Sequence, residues 1–134
     1  MFKCLGEQYF SNIGHYKDLE MFIDNRGKLE IDSTAIMGFR VAIFTMAHYP
    51  TAHGTLVKRA VIIKKNAFIG SYSILYNCVI GEGAMVSVGS VVRSRKVADY
   101  TMVEGNPAKE IAHFNVKTNK WDYYDCPKDL EKIV

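Results

Sequence analysis

The side chains best suited to proton transfer near neutral pH are the four histidines of this sequence. One of them, His48, lies in Thr45-Met46-Ala47-His48-Tyr49-Pro50, where an aliphatic pattern gives way to turn composition. Another, His53, sits deeper in the same stretch. An imidazole placed there can take a proton from a hydroxyl, the task of a general base. An isolated histidine more often serves structure than catalysis, so residue type alone leaves its role open. Phe22-Ile23-Asp24-Asn25-Arg26-Gly27 offers a carboxylate and an amide, Asp24 and Asn25, side by side. The same residues are good turn chemistry whatever their role. Basic side chains gather at Lys58, Arg59, Lys64 and Lys65, and again at Arg93, Arg95 and Lys96. Such clusters suit a solvated surface first and an anionic small molecule second. Aromatic residues do not interleave with them, which weakens an RNA-binding reading. Cys4, Cys78 and Cys126 are odd in number, widely spaced and without a CxxC pair. Neither a disulfide framework nor a zinc knuckle is indicated.

These residues need a frame. The chain has 134 residues, which suits one domain at roughly 150 residues per domain. Apolar types make up 49% and charged types 23%, with mean hydropathy −0.04, so a packed core is expected and disorder is not. No run approaches the ~18 apolar residues that would span a bilayer. Met1 to Gly6 lacks the charged and then apolar stretch of a secretory signal. A net charge of +3 is too small to imply nucleic acid. The expectation is a protein of the reduced cytoplasm, with no membrane insertion and no nucleic-acid partner.

A short internal period supplies the frame. Aliphatic residues recur at Ile31, Met37 and Ile43, then at Ile63, Ile69, Ile74, Ile80, Val86 and Val92. Six of the seven steps are six residues long, and one, Ile69 to Ile74, is five. A small side chain keeps phase with them at Ala35, Val41, Ala67, Ser73, Cys78, Ala84 and Ser90, and Gly38, Gly70 and Gly81 directly follow an aliphatic. Period six is neither helical nor a plain alternation. It predicts an all-β coil of very short parallel strands, one aliphatic per strand pointing inward and a small residue where the chain turns. Stacked coils would place the aliphatics in ladders along a continuous core.

This pattern resembles the hexapeptide repeat of left-handed β-helix acyltransferases, over roughly Leu29 to Ile111, with weaker matches at Leu5-Gly6 and Ile13-Gly14. The likeness is to the maltose/galactoside O-acetyltransferase-like branch. It is carried by Phe68-Ile69-Gly70-Ser71, by Val79-Ile80-Gly81-Glu82-Gly83-Ala84 running on to Val88-Gly89-Ser90-Val91-Val92, and by Gly105-Asn106-Pro107-Ala108-Lys109-Glu110-Ile111. The last is similar to the family's closing G-x-P-A-K-x-I signature. The resemblance implies a left-handed parallel β-helix domain over residues 1–115, with a loop at about 46–60 leaving the coil. Residues 116–134 are then a C-terminal tail packing on the coil end.

The resemblance also implies a function: transfer of an acetyl group from acetyl-CoA to a hydroxyl of a saccharide or glycan precursor, by a homotrimer. His48 matches the family's catalytic base, with one residue between it and Pro50. Asp24, with Asn25 second, matches the acceptor-binding turn. Ser71, Val88 and Gly89 match positions along the pantetheine arm of coenzyme A. Arg93 or Arg95, with Lys109, match the cations near its nucleotide end. No cysteine falls in a segment matching a family nucleophile, so transfer is expected to be direct, through a ternary complex, and no metal is expected. The alternatives are a non-catalytic scaffold, an N-acetyltransferase acting on an amino sugar, and a gamma-type carbonic anhydrase-like protein. That last family has an irregular step like Ile69 to Ile74 and carries zinc-binding histidines where this chain has Ser71 and Tyr76. The pair His48 and His53 has the right separation in the wrong segment.

Overall fold

The computed structural model describes residues 3–5, 18–50 and 55–125. His53, Ile13-Gly14 and residues 126–134 lie outside the described residues. Strand β1 (Lys3–Leu5) pairs in parallel with β2 (Phe22–Asp24). The chain then turns into β3 (Lys28–Ile31) and β4 (Ile36–Met37). A second circuit begins with β5 (Ala42–Phe44), leaves the coil as β6 (Met46–Tyr49) and β7 (Thr55–Lys58), and returns through β8 (Ala60–Ile63) and β9 (Phe68–Ile69). The third is β10 (Ile74–Ile80) and β11 (Met85–Val86), and the fourth is β12 (Val91–Val97) and β13 (Thr101–Gly105). Two antiparallel strands, β14 (Ala108–Asn115) and β15 (Lys120–Tyr123), close the described chain.

Register turns these circuits into three sides. On the first, Ile23, Ile43, Leu75 and Val92 align as parallel partners, and all are fully buried. On the second, Ile31, Ile63, Ile80 and Val97 align, with Leu29, Val61 and Cys78 buried beside them. On the third, Met37, Ile69, Val86 and Val103 align. Ile63 to Ile80, Ile69 to Val86 and Leu75 to Val92 are each seventeen residues apart, so a regular coil has two six-residue steps and one five-residue step. The core is the axis enclosed by these ladders.

The short step is not where the sequence pattern placed it. Ile74 is 39% exposed, whereas Leu75 is fully buried, so the five-residue step runs from Leu75 to Ile80. The cause is at the corners. Among the described residues, nine at coil corners have positive φ: Glu20, Arg40, Asn66, Tyr72, Asn77, Gly83, Gly89, Ser94 and Tyr100. Each lies three residues before a core aliphatic. Tyr72 therefore assigns Leu75, not its neighbour, to the interior. The likeness of Ile69 to Ile74 to the carbonic anhydrase step goes with it. Small residues sit directly behind these corners, where Ala67, Ser73, Ala84 and Ser90 are fully buried in the narrow apex.

Two other expectations change shape. The stretch read as a loop over 46–60 contains an antiparallel ribbon, His48 facing Leu56 and Tyr49 facing Thr55. The coil ends earlier than residue 115, because β14 already runs antiparallel to β13 and adds to the edge of the third side. Residues 120–123 extend that sheet further as β15, with Trp121 set edge-on to Phe114 at 5.4 Å. Among the described residues no helix is long and apolar enough to cross a membrane.

Adjacent aliphatics should now separate cleanly in unfolding experiments. Leu75→Ala should cost about 2–5 kcal/mol, the usual range for an emptied core site. Ile74→Ala should cost well under half of that. Equal losses in urea titrations would restore the original phase.

Candidate active site

The ribbon leaves the coil at the corner between the first and second sides, and its base is tied to the coil beneath. The Arg59 amide donates to the Thr45 carbonyl at 2.7 Å, closing the ribbon, and the Lys28 amide donates to the Arg59 carbonyl at 2.9 Å. Thr45 is buried, and its hydroxyl donates to the Asp24 carbonyl at 2.5 Å while accepting from the Gly27 amide at 2.9 Å. A side chain at Gly27 would collide with the Thr45 and Arg59 carbonyls, so only glycine lets these two coils close together there. Asp24, Asn25 and His48 are thereby brought to one corner, on adjacent coils. His48 itself is exposed on the ribbon.

Around that corner the electrostatics are specific. The Arg26 guanidinium bonds both carboxylate oxygens of Asp24, at 2.9 and 2.8 Å, and holds that carboxyl below its ordinary range. Asp24 is 4% exposed and Asn25 is fully buried, so an acceptor reaching the carboxylate must displace Arg26. The Tyr49 hydroxyl foremost, then burial and the Tyr76 hydroxyl, set the position of the Arg59 pKa, with the net effect upward. Tyr49 belongs to the ribbon and Tyr76 to the third circuit. Thr45, Gly27, Arg59 and Tyr76 were not legible as site residues. A glycine and a threonine flanking a break in the repeat were the available signal.

Ser71, Val88 and Gly89 come together at a different corner, between the third and first sides. The Gly89 amide donates to the Ser71 carbonyl, and the Phe39 amide to the Ser71 hydroxyl, each at 2.9 Å. Val88 is 68% exposed, and a Cβ built at Gly89 meets nothing within 4 Å. The backbone there opens onto solvent, which fits an extended ligand lying along the corner. Arg93 is exposed on the first side opposite Tyr76. Arg95 differs. It occupies the inward row opposite Cys78, is half-buried, and its Nη1 donates to the Ala108 carbonyl. Lys109, the next residue, is exposed and pairs in register with Glu104.

The two corners stand at opposite edges of the first side. Within one chain, His48 and the Ser71–Gly89 corner are therefore separated by the whole width of that side. Apart from Arg93, its outer surface carries an apolar patch, with Phe22 against Phe44 at 5.3 Å and Ile74 exposed beside them. Burial pushes the Cys78 thiol up to about 12, so this sulfur is a core atom and not a nucleophile near neutrality. Among the described residues no three His, Cys, Asp or Glu side chains gather as metal ligands.

No family model matches the chain. Over 65 residues, 48% of its length, the chain is 42% identical to a dTDP-3-amino-3,6-dideoxy-alpha-D-galactopyranose 3-N-acetyltransferase of Aneurinibacillus thermoaerophilus, covering 33% of that protein. Among solved structures, a maltose O-acetyltransferase from Clostridium difficile 630 matches with a TM-score of 0.70 at 24% identity, 86% of this chain covering 64% of that one. An N-acyltransferase from Bacillus cereus, solved with dTDP and 3-hydroxybutyryl-CoA, gives 0.59 at 25% identity, with 67% of this chain covering 54% of it. The curated relatives that the chain matches, over 48% to 68% of its own length, are acetyltransferases. The chain spans about a third of the length of the curated relatives it matches. These acetyltransferase relatives differ in whether the acceptor atom is oxygen or nitrogen.

The Asp24–Arg26 pair gives a pH-dependent readout of this corner. With its folded pKa lowered, chiefly by Arg26, Asp24 contributes stability above its ordinary value of 3.8 and loses it as pH falls through the folded value. The native chain should melt above Asp24→Asn at neutral pH, and the gap should close progressively below 3.8. A gap that does not change with pH would show that the carboxylate charge is not what the corner uses.

Proposed function

We propose that the chain is an acetyl-CoA-dependent acetyltransferase that modifies a saccharide or sugar-nucleotide hydroxyl, with His48 as general base. The observation that carries this reading is the ribbon bearing His48, anchored through Thr45 to the Asp24–Gly27 corner of a hexapeptide coil. The imidazole removes the acceptor hydroxyl proton as that oxygen attacks the thioester carbonyl. The tetrahedral intermediate collapses with cleavage of the carbon–sulfur bond, and the thiolate of coenzyme A leaves and is protonated. Transfer is direct, through a ternary complex, and Cys78, buried in the core with its thiol protonated, takes no part in it.

Coenzyme A lies with its arm along Ser71, Val88 and Gly89. Its phosphates meet Arg93 and Lys109, the exposed cations of the set. Asp24 orients the acceptor once Arg26 is displaced. The coil is left-handed, as in the family, and the protein works as a homotrimer. Two observations support that assembly: the base and the arm corner stand at opposite edges of the first side, and that side carries an exposed apolar patch at Phe44 and Ile74. A neighbouring copy can supply the missing corner, so each site forms between two chains. A buried thiol at Cys78 and an acetyl-CoA donor both suit the cytoplasm. A second reading, N-acetylation of an amino sugar, is favoured by the 42% identical relative, named a 3-N-acetyltransferase. An amine asks the same of His48, because its proton must also be lost during attack.

A thiol-release assay with acetyl-CoA against neutral saccharides, amino sugars and their nucleotide-linked forms tests both. His48→Ala should lower kcat by roughly 10² to 10⁴ while leaving coenzyme A affinity nearly unchanged. Arg93→Ala and Lys109→Ala should instead weaken coenzyme A binding, more at low salt than at high salt. Full activity in His48→Ala would end the general-base mechanism, and no acceptor among the three classes would favour a scaffold.

A further inference from the structure

A groove of about 250 Å³ lies on the outside of the third side, away from both corners of the candidate active site. It exists because β14 and β15 fold back along that side. Phe114 and Trp121, register partners on these strands, form two walls with their rings at 67° and 5.4 Å. Phe68 and Met85, outward residues of successive coils, form the floor. Tyr100 closes one end. Its ring lies over Gly83, where a Cβ would sit 2.5 Å from it, so glycine is what leaves room for that ring. The rim is polar: Asn66 lines it, and the Tyr100 hydroxyl donates to Glu82 at 3.3 Å. The nearby Glu82 charge keeps that phenol above its ordinary range, so the hydroxyl remains a donor. None of the side chains lining the groove is charged.

We propose that this groove binds a neutral sugar ring. A pyranose has apolar C–H faces and a hydroxyl edge, which match two aromatic walls set at an angle and a rim of amide and phenol. A phosphorylated ligand would find no cation in the lining. A purely aliphatic one would leave the Asn66 amide without a role and bury it at a cost. The ring is that of a free monosaccharide or of one unit of a glycan chain, and the titration distinguishes the two. The site is independent of the transfer chemistry, since it uses no residue assigned to donor, acceptor or base.

Trp121 is the single tryptophan of the chain, so intrinsic fluorescence reports on the groove directly. The full chain is titrated with glucose, galactose, N-acetylglucosamine and short maltooligosaccharides. A saturable change in emission is expected, from single rings if the source is free sugar and from oligosaccharides alone if it is a glycan chain. Asn66 has φ 59°, which glycine tolerates, so Asn66→Gly removes the amide without straining the corner. It should raise the dissociation constant about fivefold, the worth of one neutral hydrogen bond. Phe114→Leu, a milder change for folding than alanine, should weaken binding further. His48→Ala should leave the titration unchanged, which separates failure of this site from failure of the transferase reading. No saturable response at tens of millimolar sugar would overturn the proposal. So would a response to octyl glucoside but not to glucose, or one unaltered in both groove variants.

Discussion

Parallel strands two or three residues long cannot hold a sheet together unless each coil repeats the one beneath it in register. That constraint governs everything else in the molecule. It is met above all by one device, a left-handed backbone corner three residues before nine of the inward aliphatics. Seven of the nine corner residues are not glycine: Glu20, Arg40, Asn66, Tyr72, Asn77, Ser94 and Tyr100. Each bears roughly 1–2 kcal/mol of steric cost in that conformation. Burying a Val, Leu or Ile returns about 1.5–3 kcal/mol. Corner and ladder are thus of similar size, and the conformation holds because stacked amides, such as Tyr72 on the Phe39 carbonyl and Gly89 on the Ser71 carbonyl, reinforce it from coil to coil.

A frame so regular leaves function to its irregularities. An insertion can leave only at a corner, because a strand interrupted along a side would break the hydrogen bonds to both neighbouring coils. The ribbon obeys this rule: Thr45 ends one side, Ala60 begins the next, and the corner residues that would have joined them are replaced by β6 and β7. Rigidity is then passed outward through a few contacts. Thr45 fixes the base of the ribbon, and the Arg59 amide, bonded to the Thr45 carbonyl, closes it. His48 reaches solvent on an arm whose root is part of the core.

Much of the fold was legible because burial leaves a mark on residue type. The ladders through Met37, Ile69 and Val86 and the small residues behind the corners could be read directly. The error at Ile74 is instructive. Ile74 and Leu75 are both aliphatic, so hydrophobicity alone allows either phase, and the deciding residue, Tyr72, is a poor advertisement for a left-handed corner. The ribbon was hidden for another reason. Its cross-strand partners, such as Ala47 with Val57, sit beside Pro50 and Gly54, whose composition suggests irregular chain. At the site, side-chain types pointed to His48, Asp24 and the basic residues, but not to what occupies them. That Arg26 covers Asp24 follows from a bidentate contact two residues apart, which no pattern of spacing reveals.

The two arginines near the coil end show how position overrides type. Arg93 and Arg95 lie on one strand, and both are cations within reach of a closing signature. Alternation alone would give them the same outward face, but Ser94 turns the corner between them. Arg93 stays on the outside of the first side. Arg95 enters the second side in the inward row that Leu29, Val61 and Cys78 occupy in the coils below. Another aliphatic there would continue the core past its last full coil, whereas a long stem can bury its methylenes and still carry its head to a polar partner. It finds the Ala108 carbonyl, in the turn where the chain reverses into β14. Arg95 thereby seals the end of the core and anchors the segment that presents Lys109, leaving Arg93 and Lys109 as the charges directed at solvent.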